Sequence, residues 1–211
     1  MKRLILLVLI LSSASIYGQR NSAAVKLGVF DPGATSGGFI IGYEGGRRID
    51  ENLSVGWSVD WYRKEYIDEA LVRELNDFDD LAIGTVNELR AKTNLHDIPV
   101  MFTMRANFPM RNRMGVYITG SIGAEVLLIW YRNYENPNND EFQGAFDFSW
   151  RLGAGMYYEL GSRSDLIGEI TYHSSEPSWT YEVNDEGRTR LFERRFDMSG
   201  LMARVGIRFF F

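Results

Sequence analysis

Two histidines, His96 and His173, are the only side chains here whose ordinary pKa lies near neutrality, so proton-shuttling chemistry has to begin at one of them. His173 sits in Tyr172-His173-Ser174-Ser175-Glu176, and on a strand His173 and Ser175 point to the same face by period two. A serine, a histidine and a carboxylate can act as nucleophile, base and orienting group. The carboxylates that follow are Glu182 and Glu186, at a register the sequence leaves open. His96 precedes Asp97 at the head of a strand and reads as a partner in a rim hydrogen bond. There is no cysteine, which removes disulfides, zinc ribbons, iron–sulfur ligation and thiol nucleophiles. Asp77, Asp79 and Asp80 are close enough in sequence to suggest calcium, but the stretch lacks the glycine and terminal glutamate of an EF-hand and reads as a solvated loop.

The elements that must position these residues follow from the patterning. Residues 1–18 begin with Lys2 and Arg3, continue in an apolar run from Leu4 to Leu11, and end in small and polar residues before Gly18. That run is too short to cross a bilayer as a helix, which needs about 20 apolar residues, and reads as a secretory signal peptide. Its removal moves the formal charge from -5 to -7. An acidic exported chain of 19–211 without a basic stripe is not a nucleic-acid binder, because phosphates demand Lys and Arg.

Period-two alternation dominates the rest. From Leu53 to Trp61 every odd position is apolar, and the alternation returns from Val116 to Trp130 and from Phe146 to Tyr158. Fainter copies run through Val25–Val29, Phe39–Tyr43, Ile98–Ala106, Leu166–Tyr172 and Val205–Phe211, giving eight strands. Short connections at 46–52, 109–114 and 161–165 alternate with long polar ones at 31–37, 67–93, 133–143 and 176–190. Such taking of turns is expected of an up-and-down transmembrane barrel with tight periplasmic turns and long surface loops. The longest connection carries Leu71, Leu75, Phe78 and Leu81 at helical spacing, which suggests a short amphipathic helix or lid; a further hairpin there would raise the count to ten.

The apolar phase is free of Asp, Glu, Lys and Arg, whereas the other phase holds Lys26, Glu44, Asp60, Arg105, Glu125, Asp147, Arg151, Glu159, Glu169, Arg204 and Arg208. An inside-out assignment follows, with the apolar face to lipid and the charges in the lumen. Lipid offers backbone groups no partners, so a closed barrel is the form strands take there. At eight strands the interior is only wide enough for side chains, and the charges should pair into a plug. Pro99, inside a strand, is expected at a bulge or strand start.

The chain ends Val205-Gly206-Ile207-Arg208-Phe209-Phe210-Phe211, and Phe211, Phe209 and Ile207 resemble the C-terminal signal read by the barrel-assembly machinery of bacterial outer membranes. His96-Asp97-Ile98-Pro99-Val100 and Gly115-Val116-Tyr117-Ile118-Thr119-Gly120 resemble strands of the outer-membrane beta-barrel family common in the Bacteroidetes, an eight-stranded OmpA/OmpX-like barrel. The resemblance covers nearly the whole mature chain and implies the fold and an outer-membrane location. His173-Ser174-Ser175 also resembles the first positions of the His-x-Ser-Asn element of outer-membrane lipid A deacylases, with Glu176 in place of the Asn.

The expectation is therefore an all-β protein, a monomeric eight-stranded antiparallel up-and-down transmembrane β-barrel over residues 19–211. Its expected role is structural or surface-interacting and non-enzymatic, with a closed polar lumen and no assigned catalytic residue, cofactor or metal. Alternatives are a lipid A or phospholipid hydrolase using His173 and Ser175, and a small channel. Expected partners are outer-membrane lipids and lipopolysaccharide, the assembly machinery through the last strand, and an extracellular partner at the surface loops.

Overall fold

The computed structural model describes residues 21–67, 92–110, 112–131, 141–185 and 188–211. Among them are ten strands: β1 (Asn21–Pro32), β2 (Gly38–Arg48), β3 (Leu53–Ile67), β4 (Lys92–Pro109), β5 (Met114–Tyr131), β6 (Glu141–Gly161), β7 (Ser164–Ser174), β8 (Ser178–Asp185), β9 (Arg188–Arg195) and β10 (Gly200–Phe210). Eight of them, β1–β7 and β10, form a closed antiparallel barrel in which β5 pairs β6 and β1 pairs β10. Closure removes the sheet edges that would otherwise leave backbone groups unpaired in lipid. Asn21 and Phe211 exchange backbone hydrogen bonds of 3.2 and 3.0 Å, so both ends of the barrel sequence meet at the side of the tight turns.

The remaining pair departs from the expected arrangement. Residues 176–190, read from sequence as a polar loop, contain β8 and run into β9; the two pair as a hairpin from Ser178↔Arg195 to Asp185↔Arg188. The hairpin joins the barrel at Phe146↔Ser178 on β6. Its alternation is masked in the sequence by charged residues on both strands, whose outer location demands no apolar face. The lid, helix and calcium readings over 68–91 lie outside the described residues.

Strand length separates membrane-sized from overhanging elements. β1, β2, β7 and β10 have 11 or 12 residues, close to the 9–11 that a tilted strand needs to span the hydrocarbon. By contrast β3–β6 have 15–21, and β6 runs beyond the end of β7, where Trp150 pairs Ser174. The excess builds a wall on the side of the long connections, and the β8–β9 hairpin adjoins it.

The faces obey the alternation. Val205 and Ile170 are each 64% exposed, whereas Asp97, Glu125 and His173 are 0% exposed. This is the inversion expected of a lipid-facing wall around a polar interior. Aromatic residues cluster on the outer wall: His96 stacks on Trp61 and meets the edge of Trp130, whose ring contacts Phe142. Among the described residues no helix is long and apolar enough to cross a membrane.

Pro99 lies at neither a bulge nor a strand start. It sits within β4, paired with Glu125 of β5, and the β3–β4 register is the same on both sides of it, from Val59↔Val100 to Tyr62↔Asp97. Pairing merely lapses at positions 98–99 on the β3 side, where a proline without an N–H leaves the rest of the ladder unaffected.

Candidate functional site in the barrel lumen

Inward positions on all eight barrel strands supply one connected polar network. Lys26 (β1) donates to Glu44 (β2) at 2.6 Å and to Glu169 (β7) at 3.0 Å. Arg105 (β4) reaches Glu44 at 2.7 Å, and Arg204 (β10) bridges Glu169 at 2.6 Å and Asp60 (β3) at 2.7 Å. Asp60 also pairs with Arg151 (β6), whose Nε donates to His173 Nδ1 at 3.0 Å. The opposite ring nitrogen, Nε2, lies 2.6 Å from Glu125 Oε2 on β5. Because arginine only donates, His173 accepts at Nδ1 and carries its proton at Nε2, which donates to Glu125.

The lower lumen is organised around a tyrosine. Tyr117 donates to Glu169 at 2.9 Å, and the Arg105 guanidinium lies over its ring, 4.6 Å from the centroid. Gly155 makes this possible, since a Cβ there would run into the Tyr117 ring. Gly42 does the same for Asp60. Below them a polar vestibule of about 340 Å³ opens toward the tight turns, lined by Arg48, Glu51, Arg105, Asp165 and Arg208.

Above the ions the lumen becomes apolar. Phe30, Ile40, Tyr62, Leu95, Leu127, Ile129, Phe196, Met198 and Met202 form one buried cluster across the mouth. Phe30 sets its ring edge against both Tyr62 and His173, at 5.2 and 5.7 Å. Phe196 and Met198 come from the link between β9 and β10, held down by Phe196 N to Pro177 O and Met198 N to Ser175 O, each 3.0 Å. Among the described residues, interlocked charges and an apolar cluster thus fill successive levels of the interior.

A closed barrel with lipid-facing apolar walls, a charged lumen and surface-side overhangs is the architecture of one kind of protein, and the match of residues 4–209 to the outer membrane protein beta-barrel domain family decides it. The chain belongs to this family. It resides in the bacterial outer membrane. Solved structures with the same fold include Neisserial surface protein A (TM-score 0.56, 13% identity, 92% of this chain and 98% of that one). OprG of Pseudomonas aeruginosa is similar (0.58, 11%, 92% and 97%), as is a major outer membrane protein of Thermus thermophilus (0.57, 14%, 90% and 99%). No curated protein sequence matches significantly.

Within this outer-membrane barrel, His173 and Ser175 both point into the lumen and are buried, as period two demands, but they do not form a hydrogen bond with each other. The two ring nitrogens of His173 are taken by Arg151 and Glu125, and Ser175 Oγ donates to Asp147 at 3.3 Å. Asp147 is itself anchored by the Glu176 amide at 2.7 Å. Glu182 lies on β8 opposite Leu191, and Glu186 is outside the described residues.

His96 makes a hydrogen bond, as expected, but from inside β4 and not at its head. Adjacent strand residues face opposite ways, so His96 points outward and accepts from Trp61 Nε1 at 3.0 Å, while Asp97 points into the lumen. The sequence reading missed Asp97 and Asp165 as lumen charges because they lie at the margins of the clear alternation; both are buried. It included Glu159, which lies exposed near a tight turn. On the outer hairpin Arg195 grips Glu193 through two 3.1 Å hydrogen bonds, which hold that carboxyl below its ordinary pKa.

Proposed function

We propose that this outer-membrane barrel is a non-conducting, non-enzymatic envelope protein that presents the overhanging ends of β3–β6 and the β8–β9 hairpin to an extracellular partner. The observation that carries the reading is the lumen filled at successive levels: ion pairs drawn from around the barrel, beneath an apolar cluster. Water and ions cross such a section only if the pairs are broken, at a cost far above thermal energy. Against hydrolysis stands the engagement of His173 by Arg151 and Glu125, which leaves Ser175 without a histidine base, its hydroxyl on Asp147 alone. Rigid scaffolds place binding on their projecting segments, and here these are the overhangs of β3–β6 and the hairpin. The apolar outer face meets membrane lipid and lipopolysaccharide acyl chains, and Ile207, Phe209 and Phe211 at the end of the chain offer the assembly machinery its signal.

Purified protein in planar bilayers is expected to give no steady conductance, and incubation with lipopolysaccharide or phospholipid no released fatty acid. Deacylation by the wild type that disappears in Ser175→Ala would overturn the proposal, as would reproducible single-channel steps.

A further inference from the structure

We propose that Asp97, Glu125 and His173 form a closed binding site for one divalent transition-metal ion of the zinc class. The three side chains come from β4, β5 and β7, are each 0% exposed, and bring one ligand atom apiece to within 4.8 Å of the others. Metal–ligand bonds of about 2.0–2.2 Å place ligand atoms roughly 3–4 Å apart, so only small side-chain adjustments close the set around an ion.

A second observation points to a ligand. Both carboxylate oxygens of Asp97 and Oε1 of Glu125 are buried and receive no hydrogen bond from a cation, amide or hydroxyl, so these two carboxyls have only each other. The other buried carboxylates of the lumen each have an arginine or lysine, whereas Arg151 spends Nη1 on Asp60 and Nε on His173 Nδ1, its Nη2 making no hydrogen bond. The imbalance is visible in the lumen as a whole. Its buried cations are Lys26, Arg105, Arg151, Arg204 and Arg208, five against the six buried carboxylates Glu44, Asp60, Asp97, Glu125, Asp165 and Glu169. Buried carboxylates without compensation are expensive, and a cation among these three would supply it.

The donor set selects the ion. Imidazole nitrogen with carboxylate oxygens suits zinc, manganese or iron(II), whereas calcium and magnesium prefer oxygen alone and copper(I) prefers sulfur. Asp97 can bind through both of its oxygens, so the protein can fill four positions without water, as in structural zinc sites. Three coordinate bonds to separate residues would then tie β4, β5 and β7 together under the apolar cap. On binding, the imidazole proton moves from Nε2 to Nδ1 and the metal takes Nε2. Arg151 Nε releases Nδ1 while its Nη1 stays on Asp60, and any proton held between the two carboxyls leaves to solvent.

The test is to refold the full barrel from urea into detergent micelles with either Zn²⁺ or EDTA, desalt it, and measure metal content and the temperature at which compact migration on a detergent gel is lost. One zinc per chain and a transition raised by several degrees are expected. Asp97→Asn and Glu125→Gln, which keep side-chain shape, should fold and lose both effects; if one of them does not fold, the other carries the comparison, with His173→Gln alongside. Wild-type protein without stoichiometric zinc, its transition coinciding with that of the EDTA sample, would overturn the site. So would full zinc retention in Asp97→Asn and Glu125→Gln, because the ion would then sit elsewhere.

Discussion

Asp60 holds the hub of the lumen, since its two carboxylate oxygens take Arg151 and Arg204. Removing a hub of this kind leaves two buried guanidiniums partly unpaired, a larger loss than the pair contributes while intact. Asp60→Ala is therefore expected to lower stability by about 3–5 kcal/mol, read from urea unfolding in micelles. Lys26 was legible as a lumen residue from the charged phase alone, as were Glu44, Asp60, Arg105, Arg151, Glu169 and Arg204. Their partners were not, because partners are set by register and tilt between strands far apart in sequence: Asp60 and Arg204 are separated by 144 positions. Asp97 escaped notice for a different reason. Its own neighbour His96 is polar on the lipid side, held there by indoles, and a polar residue on each face erases the period-two contrast that marks a strand.

At the scale of elements, turns and the hairpin carry what alternation does not. Between β4 and β5, Asn112 and Arg113 both have positive φ, 64° and 62°, the left-handed region of the backbone. Asparagine tolerates that conformation and arginine does so poorly. Arg113→Gly should raise stability by up to about 1 kcal/mol in the same unfolding measurement, since glycine takes a positive φ without a Cβ penalty. The hairpin is separable by the same logic. Phe196 N already meets Pro177 O at 3.0 Å, so replacing residues 178–195 with an Asn-Gly turn bridges strand ends that are in place. The shortened chain is expected to retain heat-modifiable migration, while any binding of the protein to its extracellular partner disappears, as judged by comparing whole cells carrying the two forms. Hairpin and apolar cap were the illegible elements. Outside the bilayer neither face of a strand has to be apolar, and inside the mouth an apolar inward residue such as Leu127 looks the same in sequence as a lipid-facing one.

For the molecule as a whole, the inversion of faces makes a sharp prediction about substitutions that would be harmless on an ordinary protein surface. Ile170 is 64% exposed near the middle of β7, and in water an arginine there would cost little. In lipid, Ile170→Arg should cost about 2–4 kcal/mol, measurable as a shift in the urea midpoint of the barrel folded into vesicles. The same substitution on a water-facing strand would leave the midpoint nearly unchanged, so the experiment reads the solvent of that face directly.

The seam between β1 and β10 pairs Ser22 with Phe210 and Ala23 with Phe209, contacts between the first and last strands of the barrel. A ring can be sealed only after its last piece exists, so every partly made chain has two raw margins, and loop-closure entropy is highest for this final contact. Folding should consequently be slow, of the kind governed by distant pairings and not by local propensity. Until β10 is in place both margins of the sheet stay unpaired, which gives that strand a temporal role as well as a spatial one.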